Sequence, residues 1–439
     1  MFKKDEYLNR MARRELICGV VGLGYVGLPL AVELAQAGFK TIGFDVQAEK
    51  VEHINGGRNY IADVENETLN SLVKAGSLKA TTNFAEIAAV DFVTICVPTP
   101  LDAHQQPDIS FIDSSGQSVG KNLTAGTVVV LESTTYPGTT EGILLPLLEK
   151  ESGLRCGEDF LLGFSPERID PGNPTFKTKN TPKVVGGYGE TATDIIAALY
   201  QSVLSSEIHK VSSPAVAEME KILENTYRNI NIALVNELTM LCQRIGISIW
   251  EVIDAAKTKP YGFQPFYPGP GLGGHCIPLD PYYLAWKARE YNFHTSLIEA
   301  SGMINDRMPE YCVSRCRDML DRFKKAVNGA KVLILGVAYK QDIDDYRESP
   351  ALKVIENFEN RGANISYYDP WVKEYVHEGV FRRSLPELTA EVLEEADIVV
   401  ITTAHTNVDY RLVQQHAKIV FDARNVMKDI SPRDNIETL

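Results

Sequence analysis

The sequence predicts an α/β protein: two open parallel-sheet domains joined by a central all-helical domain that contains one long helix. Three observations carry that prediction. Short, nearly continuous apolar runs alternate with helical patterns toward both ends of the chain, as strands buried on two faces do. The middle instead holds an unbroken helical text from Pro214 to Gly246. The length, 439 residues, exceeds what one ordinary core accommodates, so two or three domains are expected.

The first strand is read in Leu16–Val21, followed by GLGYVG, the helical LPLAVELAQAG and a second strand, FKTIGFDV, ending in Asp45. Further strands are expected at Phe92–Val97, Thr127–Leu131 and Phe160–Phe164, and the alternation runs to about Ser206. Ser213 is placed to cap the long helix, with a proline in the first turn and Gly246 as its stop. A helix follows over Ile249–Ala256. KPYGFQPFYPGPGLGGHCIPLDP is too rich in Gly and Pro for a regular element, and helices resume at Tyr282–Glu290 and Ser296–Phe323. From Ala330 the strand signal returns in KVLILGVAYK, then a helix over Ala351–Arg361 and three strand-like runs, NISYYDP, ADIVVITTAH and AKIVFDARNV. The expected domains are residues 1–205, 206–325 and 326–439, with boundaries good to about ten residues.

Composition narrows the function classes. A hydrophobic fraction of 44% with 23% charged residues belongs to a folded chain, not a disordered one. No apolar run approaches the roughly 20 residues of a membrane span. MFKKDEYLNRMARREL has no apolar h-region and the first strand is expected almost at once, so no secretory signal is read there. A formal net charge of -14 argues against nucleic acid or an anionic bilayer as partner, though not against a small anionic ligand. Seven dispersed cysteines show no metal-ligand spacing, and Cys312 with Cys316 reads as a chance pair. A cytoplasmic protein with one or two functional thiols and no metal is expected.

Gly22, Gly24 and Gly27 form GxGxxG between a strand and a helix. The first allows the tight turn, the second lets a pyrophosphate approach, and the third lets the helix lie close to its strand. Unpaired N–H groups at the helix start favour the phosphate. Asp45 ends the next strand at the distance where an acid meets the ribose hydroxyls, which favours NAD over NADP. Gly336 begins a lesser glycine turn in the last domain, read either as a nucleotide or phosphate contact or as a plain tight turn.

Gly269, Gly271, Gly273 and Gly274 strip side chains from a path to His275 and Cys276, which can present the thiol to a ligand; a buried inert cysteine is the plainer alternative. Asp280 is placed to tune that thiol or to cap a helix before Pro281. Lys221, Asn225 and Arg228, at i, i+4 and i+7, share one helix face that either lines an anionic pocket or is merely solvated. Met219, Ile222, Leu223, Ile230 and Leu234 are expected to leave little of that helix to water. CVPTP (Cys96–Pro100), ESTTYPGTT (Glu132–Thr140) and Glu167 in GFSPERIDPG fall where open sheets receive ligands, although turns and a surface acid would look the same.

These motifs, in this order over residues 14–428, resemble the nucleotide-sugar 6-dehydrogenases, the family of UDP-glucose and GDP-mannose dehydrogenases; GVAYKQDIDDYRESP completes the set. The resemblance implies Rossmann-like domains at both ends, NAD as cofactor, a UDP-sugar as substrate and a homodimer, or a higher homo-oligomer, built on the central helices. It implies four-electron oxidation of a C6 hydroxyl to a carboxylate. Cys276 is then the nucleophile that holds the sugar as a thiohemiacetal and then a thioester. Lys221 matches the lysine that steadies the oxyanion and Asn225 its hydrogen-bonding companion; Asp280 matches the acid near the nucleophile, and Thr134 and Glu167 match groups tied to water and proton handling. Tyr25, Val26, Pro98, Thr99, Thr134 and Arg347 join Gly22, Gly24 and Asp45 on the cofactor side. Arg168, Arg228, Tyr267, Gly273, Lys340 and Arg424 join Glu167, Lys221 and Asn225 on the substrate side.

The stretch KPYGFQPFYPGPGLGGHCIPLDPYYLAWKAR is most similar to the branch acting on UDP-N-acetyl-D-glucosamine, whose uronic acid enters bacterial surface polysaccharides such as O-antigen or capsule. UDP-N-acetyl-D-mannosamine is the close alternative. His275, where the UDP-glucose branch commonly has a small residue, weighs against UDP-glucose. A two-electron alcohol dehydrogenase and a non-enzymatic nucleotide-sugar or NAD sensor complete the readings.

Overall fold

The structure, a computed structural model, describes residues 2–61, 64–102, 106–170, 173, 175–274 and 277–439. Packing divides the chain into two compact units: residues 1–224 with 282–293, and residues 225–281 with 294–439.

The first unit is built on an eight-stranded sheet. Its strands are β1 (Ile17–Val21), β2 (Lys40–Phe44), β3 (Leu78–Thr81), β4 (Phe92–Ile95), β5 (Val128–Leu131), β6 (Leu161–Phe164), β7 (Lys183–Gly187) and β8 (Ile208–Val211). The spatial order is β3-β2-β1-β4-β5-β6-β7-β8, so the direction of winding reverses between β1 and β4. β1 runs parallel to both neighbours, with Gly19 opposite Ile42 and Val93. All pairs are parallel except β6 with β7, an antiparallel join where the sequence suggested parallel strands only. Apolar side chains fill both faces, with Phe92 and Phe164 fully buried on opposite sides; each such side chain contributes about 1.5–3 kcal/mol.

The five strands read for this region are present, each shifted by a residue or two at most. β3, β7 and β8 went unread, because LKAT, KVVGG and IHKV are short and carry Lys or Gly. A helix at Lys4–Ala12 also precedes β1, where the sequence led us to expect the strand almost at once. Its only deeply buried side chains are Tyr7 and Met11, too few for a recognisable stripe, and Arg10 pins it to Asp91 at 2.8 Å.

The second unit carries a five-stranded parallel sheet. Its members are β9 (Lys331–Leu335), β10 (Asn364–Tyr368), β13 (Ile398–Ile401), β14 (Val420–Asp422) and β15 (Ile436–Thr438), in the order β10-β9-β13-β14-β15. Here the winding reverses between β9 and β13. A separate hairpin pairs β11 (Glu374–His377) with β12 (Val380–Arg383).

The central section is helical, as expected. Its long helix runs over Pro214–Ile245, 32 residues, with Ser213 Oγ accepting from Val216 N at 3.3 Å and Gly246 closing it at φ +77°. Helices Ile249–Ala256, Asp280–Ala288 and Ser296–Arg322 complete it. The long helix is wetter than its apolar neighbours suggested: Met219, Leu223 and Leu234 are exposed, Leu223 by 61%.

Candidate active site

The glycine turn lies at the carboxyl end of β1, beside the point where the sheet order reverses, and open α/β sheets bind ligands there. Gly22 has φ +89°, and a Cβ on it would meet the Cys96 carbonyl at 2.4 Å. A Cβ on Gly27 would come within 1.8 Å of the Gly22 carbonyl, so the helix Gly27–Gln36 crosses the strand too closely for any side chain. Gly24 differs. A Cβ there meets nothing within 4 Å, leaving open space above the start of the helix, where a pyrophosphate fits. Tyr25 is exposed and Val26 is half-buried at the helix start.

Asp45 is buried beneath this turn. Its carboxylate accepts from Leu23 N and Gln47 N, both at 2.9 Å, and lies 3.5 Å from Lys50 Nζ. It therefore braces the glycine turn from below, a task the sequence did not reveal. Oδ1, which accepts from Gln47 N, keeps a lone pair for a ribose hydroxyl.

The two loops that follow β4 and β5 are tied together. Thr99 Oγ1 donates to the Thr134 carbonyl, Ser133 Oγ donates to the Val97 carbonyl at 2.8 Å, and Tyr283 Oη donates to the Thr99 carbonyl. Thr99 and Thr134 are thus neighbours, with Pro98 exposed beside them. Glu218, on the long helix, clamps the second loop. Its carboxylate accepts from Gly138 N at 2.6 Å and from Thr140 N and Oγ1 at 2.8 and 2.7 Å.

Glu167 follows β6 and is half-buried, accepting from Ile169 N at 2.5 Å. Burial pushes its carboxyl up, against the pull of Lys183 and with the added push of Glu132. Arg168, expected on the substrate, is engaged within the protein: it pairs with Glu224, lies 3.2 Å from Glu220 and donates to the Pro182 carbonyl at 2.9 Å. Lys221 and Asn225, one helical turn apart, are both buried, whereas Arg228 on the same stripe is exposed.

In the second unit the long helix holds the glycine-rich loop through asparagines. Asn225 Nδ2 donates to Asp280, Asn229 Nδ2 donates to the Ile277 carbonyl at 3.0 Å, and Asn236 Oδ1 accepts from Gly269 N at 3.1 Å. His275 and Cys276 lie outside the described residues. The neighbouring glycines make room for protein atoms. A Cβ on Gly269 would meet the Arg424 guanidinium at 2.5 Å, and one on Gly273 would meet Tyr339 and Pro350 within 2.9 Å. Gly271 and Gly274, at φ +132° and +89°, turn the chain along that surface. The glycines let the loop pack against the β9 turn.

Lys340 and Arg424 follow β9 and β14, at the carboxyl ends of the sheet. Arg424 Nε donates to the Thr402 carbonyl at 2.8 Å. Tyr267 is 46% exposed and stacks on Trp250 at 6.1 Å. Arg347 is bound in a fork to Asp345 at 2.9 and 2.8 Å. The β9 turn repeats the first unit's design. Gly336 has φ +87°, and Asp369 at the end of β10 accepts from Val337 N and Ala338 N at 2.7 and 3.2 Å. The buried His405 props this brace. Its Nε2 lies 3.1 Å from Asp369, and its Nδ1 accepts from Asp342 N at 2.9 Å, so the proton is on Nε2. Sequence reading missed Glu218, Lys183 and His405, which nothing local marks, and singled out Glu132 only as the start of the ESTTYPGTT loop. Among the described residues no cluster could hold a metal ion, and no helix is long and apolar enough to cross a membrane.

Models of the UDP-glucose/GDP-mannose dehydrogenase family match the chain in order: the NAD binding domain over residues 16–204, the central domain over 215–307 and the UDP binding domain over 333–429. Protein CapL of Staphylococcus aureus is 38% identical over 413 residues, 93% of this chain and 95% of that protein. The UDP-N-acetyl-D-glucosamine 6-dehydrogenase of Pseudomonas aeruginosa is 38% identical over 367 residues, 83% of this chain and 86% of that one. The solved UDP-D-ManNAc dehydrogenase of Pyrococcus horikoshii is similar with a TM-score of 0.88 at 34% identity, over 96% of this chain and 99% of that one. NAD is the cofactor and a nucleotide sugar the small-molecule substrate. The chain belongs to the UDP-glucose/GDP-mannose dehydrogenase family and is an NAD-dependent nucleotide-sugar dehydrogenase.

Proposed function

We propose that the enzyme oxidises the C6 hydroxyl of UDP-N-acetyl-D-glucosamine to the uronic acid in two steps through Cys276. The observation that carries the substrate is the loop text KPYGFQPFYPGPGLGGHCIPLDP, together with the 38% identity to the Pseudomonas aeruginosa UDP-N-acetyl-D-glucosamine enzyme. In this reading residues 1–205 hold NAD, 206–325 supply the catalytic helix and a homodimer contact, and 326–439 hold the nucleotide. The exposed Leu223, Leu234, Leu241 and Ile245 on one helix support the dimer, and a cytoplasmic location fits a thiol nucleophile.

Gly22, Gly24, Tyr25, Val26 and Asp45 hold the cofactor, with Pro98, Thr99, Thr134 and Arg347 beside it. Bound there, NAD would supply the acceptor for the electron pair that leaves C6 in each of the two oxidations. Cys276 adds to the aldehyde, forming the carbon–sulfur bond without which a second C6 hydrogen could not depart with its electron pair. Lys221 and Asn225 steady the oxygen that carries charge in that adduct. Asp280, held by Asn225, orients the thiol's surroundings, and Glu167 with Thr134 handles the water that releases the acid. Arg168, Arg228, Tyr267, Gly273, Lys340 and Arg424 complete the sugar-nucleotide site; Arg168 does so through its ion pairs.

UDP-N-acetyl-D-mannosamine is the second reading, favoured by the Pyrococcus horikoshii dehydrogenase for that sugar, 35% identical over 416 residues. An NADH-release assay across UDP- and GDP-hexoses, with product masses, decides. Fastest acid formation from the N-acetylglucosamine sugar supports the proposal; a preference for another sugar overturns the substrate, and binding without NADH points to a sensor.

A further inference from the structure

Behind Glu167 lies a buried charge cluster that the reaction as described does not use. Glu132, the residue after β5, is 1% exposed, and its two oxygens are both occupied. One accepts from Lys183 Nζ and the other from Tyr200 Oη at 2.7 Å. Lys183, which begins β7, is 8% exposed, and its ammonium lies 5.0 Å from the centre of the Tyr200 ring. Lys183 and Glu167 line one small cavity with Pro166, Ile169, Thr181 and Pro182.

The buried Glu132 and the half-buried Glu167 both face the Lys183 ammonium, and the two carboxylates are not held alike. Glu132 receives an ammonium and a phenol; Glu167 receives one backbone N–H, from Ile169. The other groups facing Glu167 leave this unchanged. The Cys96 thiol, at the end of β4, is pushed well up by burial and stays neutral. Lys221 on the long helix acts on Glu167 more weakly than Lys183 and Glu132 do. Arg168 is taken by Glu220 and Glu224.

We propose that Glu132 and Lys183 are positioning residues that set how readily Glu167 takes up and releases its proton, Lys183 favouring the ionised form and Glu132 the protonated one. This rests on the reading of Glu167 as the proton-handling group. Glu132 and Lys183 touch neither substrate nor cofactor in this scheme; their effect passes through Glu167. Removing each should move Glu167 in opposite directions. Glu132→Gln keeps the shape and leaves Lys183 facing Glu167 alone, which favours the ionised form. Lys183→Met withdraws the cation and favours the protonated form.

The test is the acidic limb of the kcat–pH profile of the full-length enzyme. Glu132→Gln should shift it down, and Lys183→Met up, each by about one pH unit or more. The double variant, which removes both charges, should fall between them and keeps the test alive if Lys183→Met fails to fold. Shifts in the same direction, or none, overturn the proposal. Glu167→Gln separates the two ideas. If the limb persists there, Glu167 is not the titrating group; if it vanishes there but does not move in the other variants, only the cluster's role is lost.

Discussion

The three glycines of the β1 turn make different demands, and substituting each by alanine separates folding from cofactor binding. A Cβ on Gly27 falls 1.8 Å from the Gly22 carbonyl, well inside the 3.0 Å that real Cβ atoms keep. That neighbour is backbone, so the helix must move by more than 1 Å or so, and overpacking of this kind costs about 2–3 kcal/mol. At roughly 2–4 °C per kcal/mol for a unit of this size, Tm should fall by about 4–12 °C. NAD affinity should fall as well, because the helix start moves from the pyrophosphate. Gly24→Ala meets nothing within 4 Å and needs no positive φ. Its Tm should hold to within about 2 °C, while NAD binding weakens tenfold or more, about 1.4 kcal/mol, because the methyl group occupies space left for the cofactor. Scanning calorimetry with and without NAD, and titration calorimetry for Kd, read both quantities. Unchanged affinity in Gly24→Ala, or a Tm loss equal to that of Gly27→Ala, would refute the assignment of that open space to NAD.

Other expectations follow from buried polar groups. Glu218→Ala strands two backbone N–H groups and a hydroxyl of the 132–140 loop, so stability should fall by about 3–5 kcal/mol in denaturant unfolding; a loss below 1 kcal/mol or so would mean that the clamp is dispensable. Burial alone would raise the Asp369 carboxyl, but His405 and the N–H groups of Val372 and Val337 outweigh it and hold it below the usual range. The stability it adds is present above the ordinary carboxylate pKa and is lost as pH falls through the lowered folded value. His405→Ala should narrow that acid-stable range and raise KM for the nucleotide sugar several-fold with kcat nearly intact, since it loosens the turn that carries Lys340. Equal loss in both constants would argue against this route.

Much of this was legible from sequence because it is local. GLGYVG announces its turn through residues that need particular backbone angles, and the Ser213 cap and Gly246 stop bracket the long helix within a residue. What sequence hid is long-range. Glu218 meets its partners about 80 positions away, Lys183 finds Glu132 at 51 and His405 finds Asp369 at 36. No periodicity encodes such pairs. The glycines before His275 illustrate a subtler failure: spacing marks where side chains are forbidden, but only packing tells whether ligand or protein fills the gap. Here Tyr339, Pro350 and Arg424 fill it. The apolar residues of the long helix misled in the same way, since an exposed apolar face and a buried one read alike in sequence.

The central claim is that Cys276 holds the sugar covalently between two oxidations. Rapid quenching of the enzyme with UDP-N-acetyl-D-glucosamine and excess NAD, followed by intact and peptide mass spectrometry, tests it directly. The account predicts a sugar-nucleotide adduct on the Cys276 peptide, two NADH per acid formed, and neither adduct nor acid from Cys276→Ser although it still binds the nucleotide sugar. Acid formed at the normal rate by Cys276→Ser, or one NADH per turnover with free aldehyde as product, would contradict it.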